Sequence, residues 1–408
     1  MDACDVLIVG GGPAGSSCAL RLRGNGLRVA VLDRARFPRH KPCAGWVTPR
    51  VLELLGLDPD EYGAGRTIQP IRRFLTGMIG DRPVETSYPG TVSWGIRRCE
   101  FDTYLIARAD CPVRPGTAAA SLRRRGDRWI CNGTLEARVV VGAGGHFCPV
   151  ARQIAPARGP ADTVIALEEE RLLSASGEAE CLVEPDRPEL YFCRDLRGYG
   201  WCIRKGAFLN VGLGRLGGRE ASGHATEFVS WLKSRRRIPR DFPERMRGHA
   251  YRLRGSGRSP VFADGVLLVG DAAGLAEPRS GEGIRPAVES GFLAADVILR
   301  CDGKYDAARL APYARLLEER LGGLRTSGSA REPPGKTVAG VARLVFSNRW
   351  FARRVVLDRW FLRGAGIDAA GGKQGEDQAT KRPPCRAAGR AGGSKRGSAA
   401  GPPRHRNA

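Results

Sequence analysis

The chain has 408 residues, of which 42% are hydrophobic and 27% are charged, a composition typical of a folded protein with more than one domain. The formal net charge of +23 would suit an anionic membrane or a nucleic acid, but no nucleic-acid recognition motif supports the second interpretation, and surface arginines explain the charge more simply. The 12 cysteines stand singly, and no Cys/His group has the spacing of zinc ligands, so we expect reduced thiols and no metal site. We find no secretory signal and no long apolar run, so we expect a cytoplasmic protein without a membrane-spanning helix.

The N-terminal residues follow the order strand, glycine-rich turn, helix, strand. Val6–Val9 predicts a buried parallel strand, residues 10–15 read G-G-G-P-A-G, and a second apolar strand ends at Asp33. In such a motif the glycines allow a tight turn, an approach to a pyrophosphate and close packing of helix on strand, and the acid binds a ribose hydroxyl. The predicted dinucleotide-binding residues here are Gly10, Gly12, Pro13, Ala14, Gly15, Asp33 and Arg34. This motif alone does not separate FAD from NAD.

A second glycine-rich region lies far along the chain. Residues 265–274 read as a buried strand ending in Gly-Asp, and residues 280–284, S-G-E-G-I, lead into an apolar-periodic helix. A turn at a helix N-terminus suits an electron-rich group, such as the edge of a reduced flavin. The alternative is an ordinary connection between a strand and a helix.

Together these motifs resemble those of the FAD-dependent hydroxylase superfamily, which is p-hydroxybenzoate hydroxylase-like, and within it the geranylgeranyl reductase family. Residues 98–102, R-C-E-F-D, are similar to the superfamily's R-x-x-F-D, and the resemblance covers about residues 4–320. It implies a Rossmann-like FAD-binding α/β domain and a second α+β substrate domain on an antiparallel sheet. It also implies that Asp271 binds the ribityl chain, that Arg98 lies near the phosphates, and that Gly281, Gly283 and Ile284 contact the flavin.

Two further segments resemble those of the reductases. Residues 41–46, K-P-C-A-G-W, are similar to a cysteine- and glycine-rich loop beside the flavin, which makes Cys43 a candidate site residue. Residues 198–205, G-Y-G-W-C-I-R-K, are similar to Y-x-W-x-F-P-K. Tyr199 and Trp201 leave one face of this strand and could line a pocket for an apolar chain. The alternatives are a packing cysteine and two core aromatics.

The resemblance implies an FAD-dependent oxidoreductase that reduces carbon–carbon double bonds of a prenyl or other lipid-like small molecule. NADPH or another reductant would supply the electrons. Gly144 stands where most relatives carry Asp, and because of this departure the sequence does not identify the electron donor. The alternative is a monooxygenase or halogenase acting on an aromatic or polyketide-type molecule, because residues 199–204, Y-G-W-C-I-R, are also similar to the W-x-W-x-I-P of flavin halogenases. No feature of the sequence indicates the oligomeric state.

The domains are expected to be discontinuous. We assign residues 1–75, 95–160 and 255–300 to the FAD-binding domain and residues 76–94 and 161–254 to the substrate domain. Residues 301–366 read as helical, and Val338–Phe361 there mixes apolar and basic residues, so it either makes peripheral membrane contact or packs over the substrate domain. Residues 367–408 contain no aromatic residue and are expected to be a disordered basic tail.

Overall fold

The apolar run at the N-terminus forms the centre of a parallel sheet. A computed structural model describes residues 2–154, 163–217, 220–256, 260–323 and 345–362. Val6, Leu7 and Ile8 of the first strand are completely buried, because a parallel strand is covered on both of its faces and therefore reads as a continuous apolar run. The predicted disordered tail, residues 367–408, lies outside the described residues.

The strands lie throughout the described ranges. In chain order they are β1 Asp2–Val9, β2 Val29–Asp33, β3 Trp46–Val47, β4 Ile68–Ile71, β5 Arg73–Met78, β6 Val84–Ser87, β7 Ser93–Ile96, β8 Val113–Pro115, β9 Leu122–Arg125, β10 Arg128–Cys131, β11 Leu135–Gly142, β12 Thr163–Leu172, β13 Glu189–Phe192, β14 Gly198–Lys205, β15 Phe208–Leu216, β16 Arg247–Arg252, β17 Phe262–Ala263 and β18 Val266–Leu268.

The helices are α1 Pro13–Leu22, α2 Pro49–Leu55, α3 Pro59–Gly63, α4 Arg98–Arg108, α5 Pro149–Ile154, α6 Ala175–Glu180, α7 Ala221–Ser234, α8 Ile284–Arg300, α9 Ala307–Leu310, α10 Pro312–Leu321 and α11 Arg349–Phe351. A 3₁₀ turn covers Gly270–Ala272, and a π-helical segment, Ala352–Phe361, continues α11. No helix within the described ranges is long and apolar enough to cross a bilayer.

The first sheet has the strand order β17-β18-β11-β1-β2-β8, with β10 and β9 added beside β11. The pairs β18–β11, β11–β1, β1–β2 and β2–β8 are parallel. Helix α1 crosses between β1 and β2 and packs closely on α8, where Gly291 lies so near that a Cβ would come within 2.3 Å of the Ala14 carbonyl oxygen. The N-terminal strand and the distant strand β18 are therefore parts of one Rossmann-like sheet.

The second sheet has the order β16-β12-β15-β14-β13-β5-β6. Its pairs are antiparallel except β13 with β5, which is parallel. Helix α7 covers one face through the buried residues Ala225, Phe228, Val229 and Leu232. A small antiparallel sheet, β3-β7-β4, accompanies the two larger ones. The predicted fold class, a Rossmann-like domain with a second α+β domain on a largely antiparallel sheet, is confirmed.

Candidate active site

A cavity of about 500 Å³ is lined by segments from both large sheets and the loops that join them. Its wall contains all the residues predicted from the sequence except Gly15, namely Gly10, Gly12, Pro13, Ala14, Asp33, Arg34, Cys43, Arg98, Tyr199, Trp201, Asp271, Gly281, Gly283 and Ile284. A more open groove near Phe37 and Cys111 includes none of these residues. The structure thus brings together candidate residues that are up to about 270 positions apart in the chain.

The glycine-rich turn after β1 holds the parallel sheet and α1 together. Gly10 has φ +115°, and a Cβ there would come within 2.3 Å of the Ala143 carbonyl oxygen. A Cβ at Gly15 would come within 1.9 Å of the Gly10 carbonyl oxygen. Gly15 therefore supports the site by close packing of α1 on β1, which is its predicted role, although it lies behind the wall.

Gly12 differs from its neighbours because its α-carbon has free space in front of it. A Cβ built there would meet only Arg39 Nη2, at 3.2 Å. Helix α1 begins at the next residue, Pro13, so its free N–H groups and partial positive charge lie at this part of the wall. This part of the cavity fits the pyrophosphate of a dinucleotide.

Asp33 connects the end of β2 to the glycine-rich turn. Its Oδ2 accepts a hydrogen bond from the Gly11 N–H at 2.8 Å, and its Oδ1 accepts one from the Ala35 N–H at 2.9 Å. Asp33 is 7% exposed. These bonds orient its carboxylate at the wall, and the ribose contact stays a prediction.

Arg98 and Asp102 explain the R-x-x-F-D pattern. The two residues are one turn apart on α4, and the guanidinium Nε and Nη2 donate to the two carboxylate oxygens at 2.9 Å each. Arg39 Nη2 lies 3.1 Å from the same carboxylate. Burial alone would raise the pKa of Asp102, but the charges of Arg98 and Arg39 outweigh it, so the pKa is lowered. Asp102 thereby holds two arginines at the wall and gives this part of the cavity positive charge, and the contact of Arg98 with the cofactor phosphates stays a prediction.

Asp271 follows β18 and lies between two basic side chains that the sequence analysis did not single out. Its Oδ2 is 3.4 Å from Lys41 Nζ and 3.2 Å from His249 Nε2. Burial opposes ionisation, yet Lys41 and His249 together lower the pKa of Asp271, which is therefore ionised at neutral pH. Burial and the charge of Lys41 in turn lower the pKa of His249. An ionised carboxylate here can accept hydrogen bonds from ribityl hydroxyl groups.

The turn from Ser280 to Gly283 lies opposite the second sheet. Gly281 has φ +70°, and a Cβ there would approach the Tyr251 hydroxyl oxygen to 2.5 Å, so this position requires glycine. Among the described residues, no group of three His, Cys, Asp or Glu side chains is placed to hold a metal ion. The glycine-rich turn, the open Gly12, the arginines near α1 and the ionised Asp271 together fit FAD.

Cys43 lies half-buried in the segment between β2 and β3, which we call the Cys43 loop and define as residues 39–45. The Cys43 sulfur accepts a hydrogen bond from the Gly45 N–H at 3.3 Å, and its carbonyl oxygen accepts one from Asn210 Nδ2 at 3.2 Å. The loop is therefore fastened to β15 of the second sheet. This contact places Cys43 in the cavity wall beside the second sheet.

Four aromatic rings of the cavity wall form a chain of ring contacts, which we call the aromatic side of the cavity. Tyr199 and Trp201 lie on one face of β14, with ring centroids 6.1 Å apart, as their spacing predicts. The other two were missed in the sequence: Trp46, which stacks on Phe361 with centroids 5.2 Å apart, and Phe361 itself, 5.3 Å from Tyr199. Trp201 is also fixed in orientation, since its Nε1 donates to Asn210 Oδ1 at 2.8 Å.

Phe361 comes from the C-terminal segment. Val356, Leu357, Phe361 and Leu362 are buried against the second sheet, whereas Trp350 is 68% exposed. Residues 345–362 thus pack over the second sheet, which is one of the two arrangements expected for Val338–Phe361. Residues 338–344 of that range lie outside the described residues, and membrane contact stays a prediction.

Comparison with known proteins agrees with this geometry. Residues 3–68 match the model of an FAD binding domain. The chain is 30% identical over 349 residues to a menaquinone reductase of Mycobacterium tuberculosis, covering 79% of this chain and 81% of that protein. It is 29% identical to digeranylgeranylglycerophospholipid reductase 1 of Methanothermobacter thermautotrophicus, covering 78% of this chain and 83% of that protein.

A solved structure has the same fold. It is a geranylgeranyl bacteriochlorophyll reductase-like protein of Thermoplasma acidophilum, with a TM-score of 0.68 and 21% identity, covering 85% of this chain and 92% of that one. The sequence relatives match this chain over most of its length and most of their own. The chain therefore belongs to the geranylgeranyl reductase family of FAD-dependent oxidoreductases.

Proposed function

We propose that the protein reduces carbon–carbon double bonds in the prenyl chain of a lipid-like substrate. The observation that carries this proposal is the continuity of one cavity from the glycine-rich turn to the rings of Trp46, Tyr199, Trp201 and Phe361. Apolar walls bind an apolar chain by removing it from water. The relatives named as reductases of menaquinone and of a digeranylgeranyl lipid support this class of substrate.

Each part of the wall has a separate task in this reaction. The residues around Gly12, Arg39, Arg98 and Asp271 would hold the phosphates and the ribityl chain of FAD. When bound and reduced, FAD supplies a hydride. The aromatic side would hold the alkene and exclude water, and the Cys43 loop, fastened to Asn210, keeps the two parts at a fixed distance. NADPH or another reductant would deliver the electrons.

Anaerobic reoxidation tests the proposal. The purified enzyme is photoreduced without oxygen, a geranylgeranyl-bearing lipid is added, and the return of the oxidised flavin absorbance is followed. The matched control is the same lipid with a saturated chain. We expect reoxidation with the unsaturated lipid alone and a product heavier by two hydrogen atoms per double bond reduced. A product that forms only with oxygen, and that carries an oxygen or halogen atom, would overturn the proposal in favour of a monooxygenase or halogenase.

A further inference from the structure

Three consecutive residues of the Cys43 loop each contact a carboxylate from a different part of the chain. The pairs are Arg39 with Asp102 on α4 at 3.1 Å, His40 with Glu168 on β12 at 3.4 Å, and Lys41 with Asp271 after β18 at 3.4 Å. The first and third pairs belong to the part of the wall that fits the cofactor. The middle pair connects the loop to β12 of the second sheet, and its His40 lies in the cavity wall.

Glu168 is an unusual residue for the interior of a sheet. Its side chain is 1% exposed, and a buried carboxylate is unfavourable unless its oxygens have partners. Oε1 accepts a hydrogen bond from Asn210 Nδ2. Oε2 receives no hydrogen bond from any described residue and lies 3.4 Å from His40 Nε2. Burial raises the pKa of Glu168, and the neighbouring His40 opposes that shift.

His40 connects this buried carboxylate with the cavity. It belongs to the cavity wall, as does Ala166, which lies two residues before Glu168 on the same face of β12. The His40 side chain is 30% exposed. An imidazole in this position lines the cavity, is partly exposed to solvent and lies 3.4 Å from a buried carboxylate that can orient its ring. These are the requirements for a residue that delivers protons repeatedly to a water-excluding site.

We propose that His40, oriented by Glu168, is the general acid that protonates the substrate during alkene reduction. This inference rests on the proposed function. One alkene carbon receives the hydride from the reduced cofactor, and the other receives the proton of the His40 imidazolium. The carbon–carbon π bond is replaced by two carbon–hydrogen bonds, the cofactor is oxidised by two electrons, and the neutral His40 regains its proton from water at the exposed edge of its ring.

Three other titratable groups of the wall, His249, Tyr199 and Glu282, each contact a partner other than His40. Burial and Lys41 lower the pKa of His249, which is therefore neutral at neutral pH. The Tyr199 hydroxyl donates to the Ser280 carbonyl oxygen at 2.5 Å. The Glu282 carboxylate accepts a hydrogen bond from Arg285 Nε at 3.3 Å. Glu282 is the strongest competitor, because burial raises its pKa, and it is included in the test for that reason.

The test compares His40→Ala, Glu282→Gln and His224→Ala in the anaerobic reoxidation experiment with the geranylgeranyl-bearing lipid, with and without added imidazole. His224 is the matched control, since it is 34% exposed, lies near Glu220 and Glu227, and is outside the cavity wall. We expect His40→Ala to reoxidise about 100-fold more slowly, with an unchanged flavin spectrum and photoreduction, and imidazole to restore part of the rate. A role in folding alone would not respond to imidazole.

Glu168 is a positioning residue in this scheme, and its test needs no turnover. The histidine ring signals of the cofactor-free protein are recorded by NMR at one pH, and the His40 signal is identified by its absence in His40→Ala. We expect Glu168→Gln to move the His40 signal and to leave that of His224 in place. Unmoved signals would show that the two side chains do not interact and would overturn the inference.

The remaining outcomes separate this inference from the proposed function. A wild type that the lipid does not reoxidise overturns the proposed function and the inference with it. A wild type that reacts, together with a His40→Ala variant that reacts equally fast or ignores imidazole, overturns only the assignment of His40. In that case a slow Glu282→Gln variant identifies Glu282 as the acid.

Discussion

The hydroxyl group of Tyr199 donates a hydrogen bond to the backbone carbonyl oxygen of Ser280, over 2.5 Å. Tyr199 lies on β14 of the second sheet, and Ser280 opens the glycine-rich turn before α8. Burial raises the pKa of Tyr199, so the hydroxyl keeps its proton and remains a donor at neutral pH. This bond fixes the turn predicted to contact the flavin relative to the aromatic side of the cavity.

We expect Tyr199→Phe to lower the free energy of unfolding by about 1 kcal/mol, because the buried Ser280 carbonyl loses its donor. The variant should also shift the visible spectrum of the bound flavin, since the turn is less well held. Tyr88→Phe is the matched control. It removes a hydroxyl bonded to Asp358 Oδ1 at 2.6 Å, away from the cavity wall, and should leave the flavin spectrum alone. Equal spectra for both variants would contradict the prediction.

Gly12→Val and Gly15→Val should separate cofactor binding from folding. A side chain at residue 12 displaces only the flexible end of Arg39, so the protein should fold and keep its melting temperature, yet bind no FAD, because the valine occupies the space for the pyrophosphate. A side chain at residue 15 collides with the Gly10 carbonyl, and that variant should be poorly folded. Flavin content after purification and thermal unfolding are the measurements. A yellow Gly12→Val protein would disprove this view of the turn.

We expect Trp201 to contact the substrate and not the cofactor. Trp201 is 4% exposed, so replacing it with Ala should destabilise the protein by about 3–5 kcal/mol. The FAD spectrum of this variant should persist, and its turnover of the lipid should be slower. Trp201→Phe keeps an aromatic ring, although it loses part of the ring volume and the hydrogen bond to Asn210, so its KM for the lipid should stay closer to that of the wild type than the KM of Trp201→Ala. Loss of FAD from Trp201→Phe would argue against this division of the cavity.

Stability should fall on mild acidification, and His249 should account for part of that fall. Burial and Lys41 lower its pKa below the value of about 6.5 expected in the unfolded chain. Below that pH the unfolded chain binds a proton that the folded protein does not, so folding becomes less favourable as the pH falls. We expect His249→Gln to lose less stability than the wild type between about pH 7.5 and pH 5.5. Denaturant unfolding of the cofactor-free proteins measures this, and parallel curves would refute it.

The sequence indicates well which residues of the two glycine-rich motifs meet at one cavity, because short motifs define this part of the wall locally. G-G-G-P-A-G between a strand and a helix has few structural alternatives, and the pair Arg98 and Asp102 lies on one helical turn, so its contact follows from the spacing alone. Tyr199 and Trp201 were placed on one face of a strand by the same reasoning.

The residues that the sequence did not indicate are those placed by tertiary contacts. His249 is a single histidine on a strand, and it becomes part of the site only because β16 brings it to Asp271, 22 positions later in the chain. Phe361 reaches Trp46 across more than 300 positions, and no local pattern distinguishes it from its apolar neighbours. Buried Glu168 offered one usable signal, because a carboxylate at the inward position of an alternating strand is unfavourable without a partner.

The three basic residues of the Cys43 loop, Arg39, His40 and Lys41, are made early in synthesis, and their acidic partners follow in the order Asp102, Glu168, Asp271. While the chain emerges from the ribosome, each ion pair can therefore form only after the segment that carries its acidic partner has been synthesised. Among the predicted cofactor-binding segments, β18 and the turn at Ser280–Gly283 are made last, so a nascent chain carries the turn predicted to bind the pyrophosphate long before the turn predicted to contact the flavin. If these predicted contacts are needed to retain the cofactor, a chain interrupted before residue 271 is expected to be colourless even with an intact N-terminal motif.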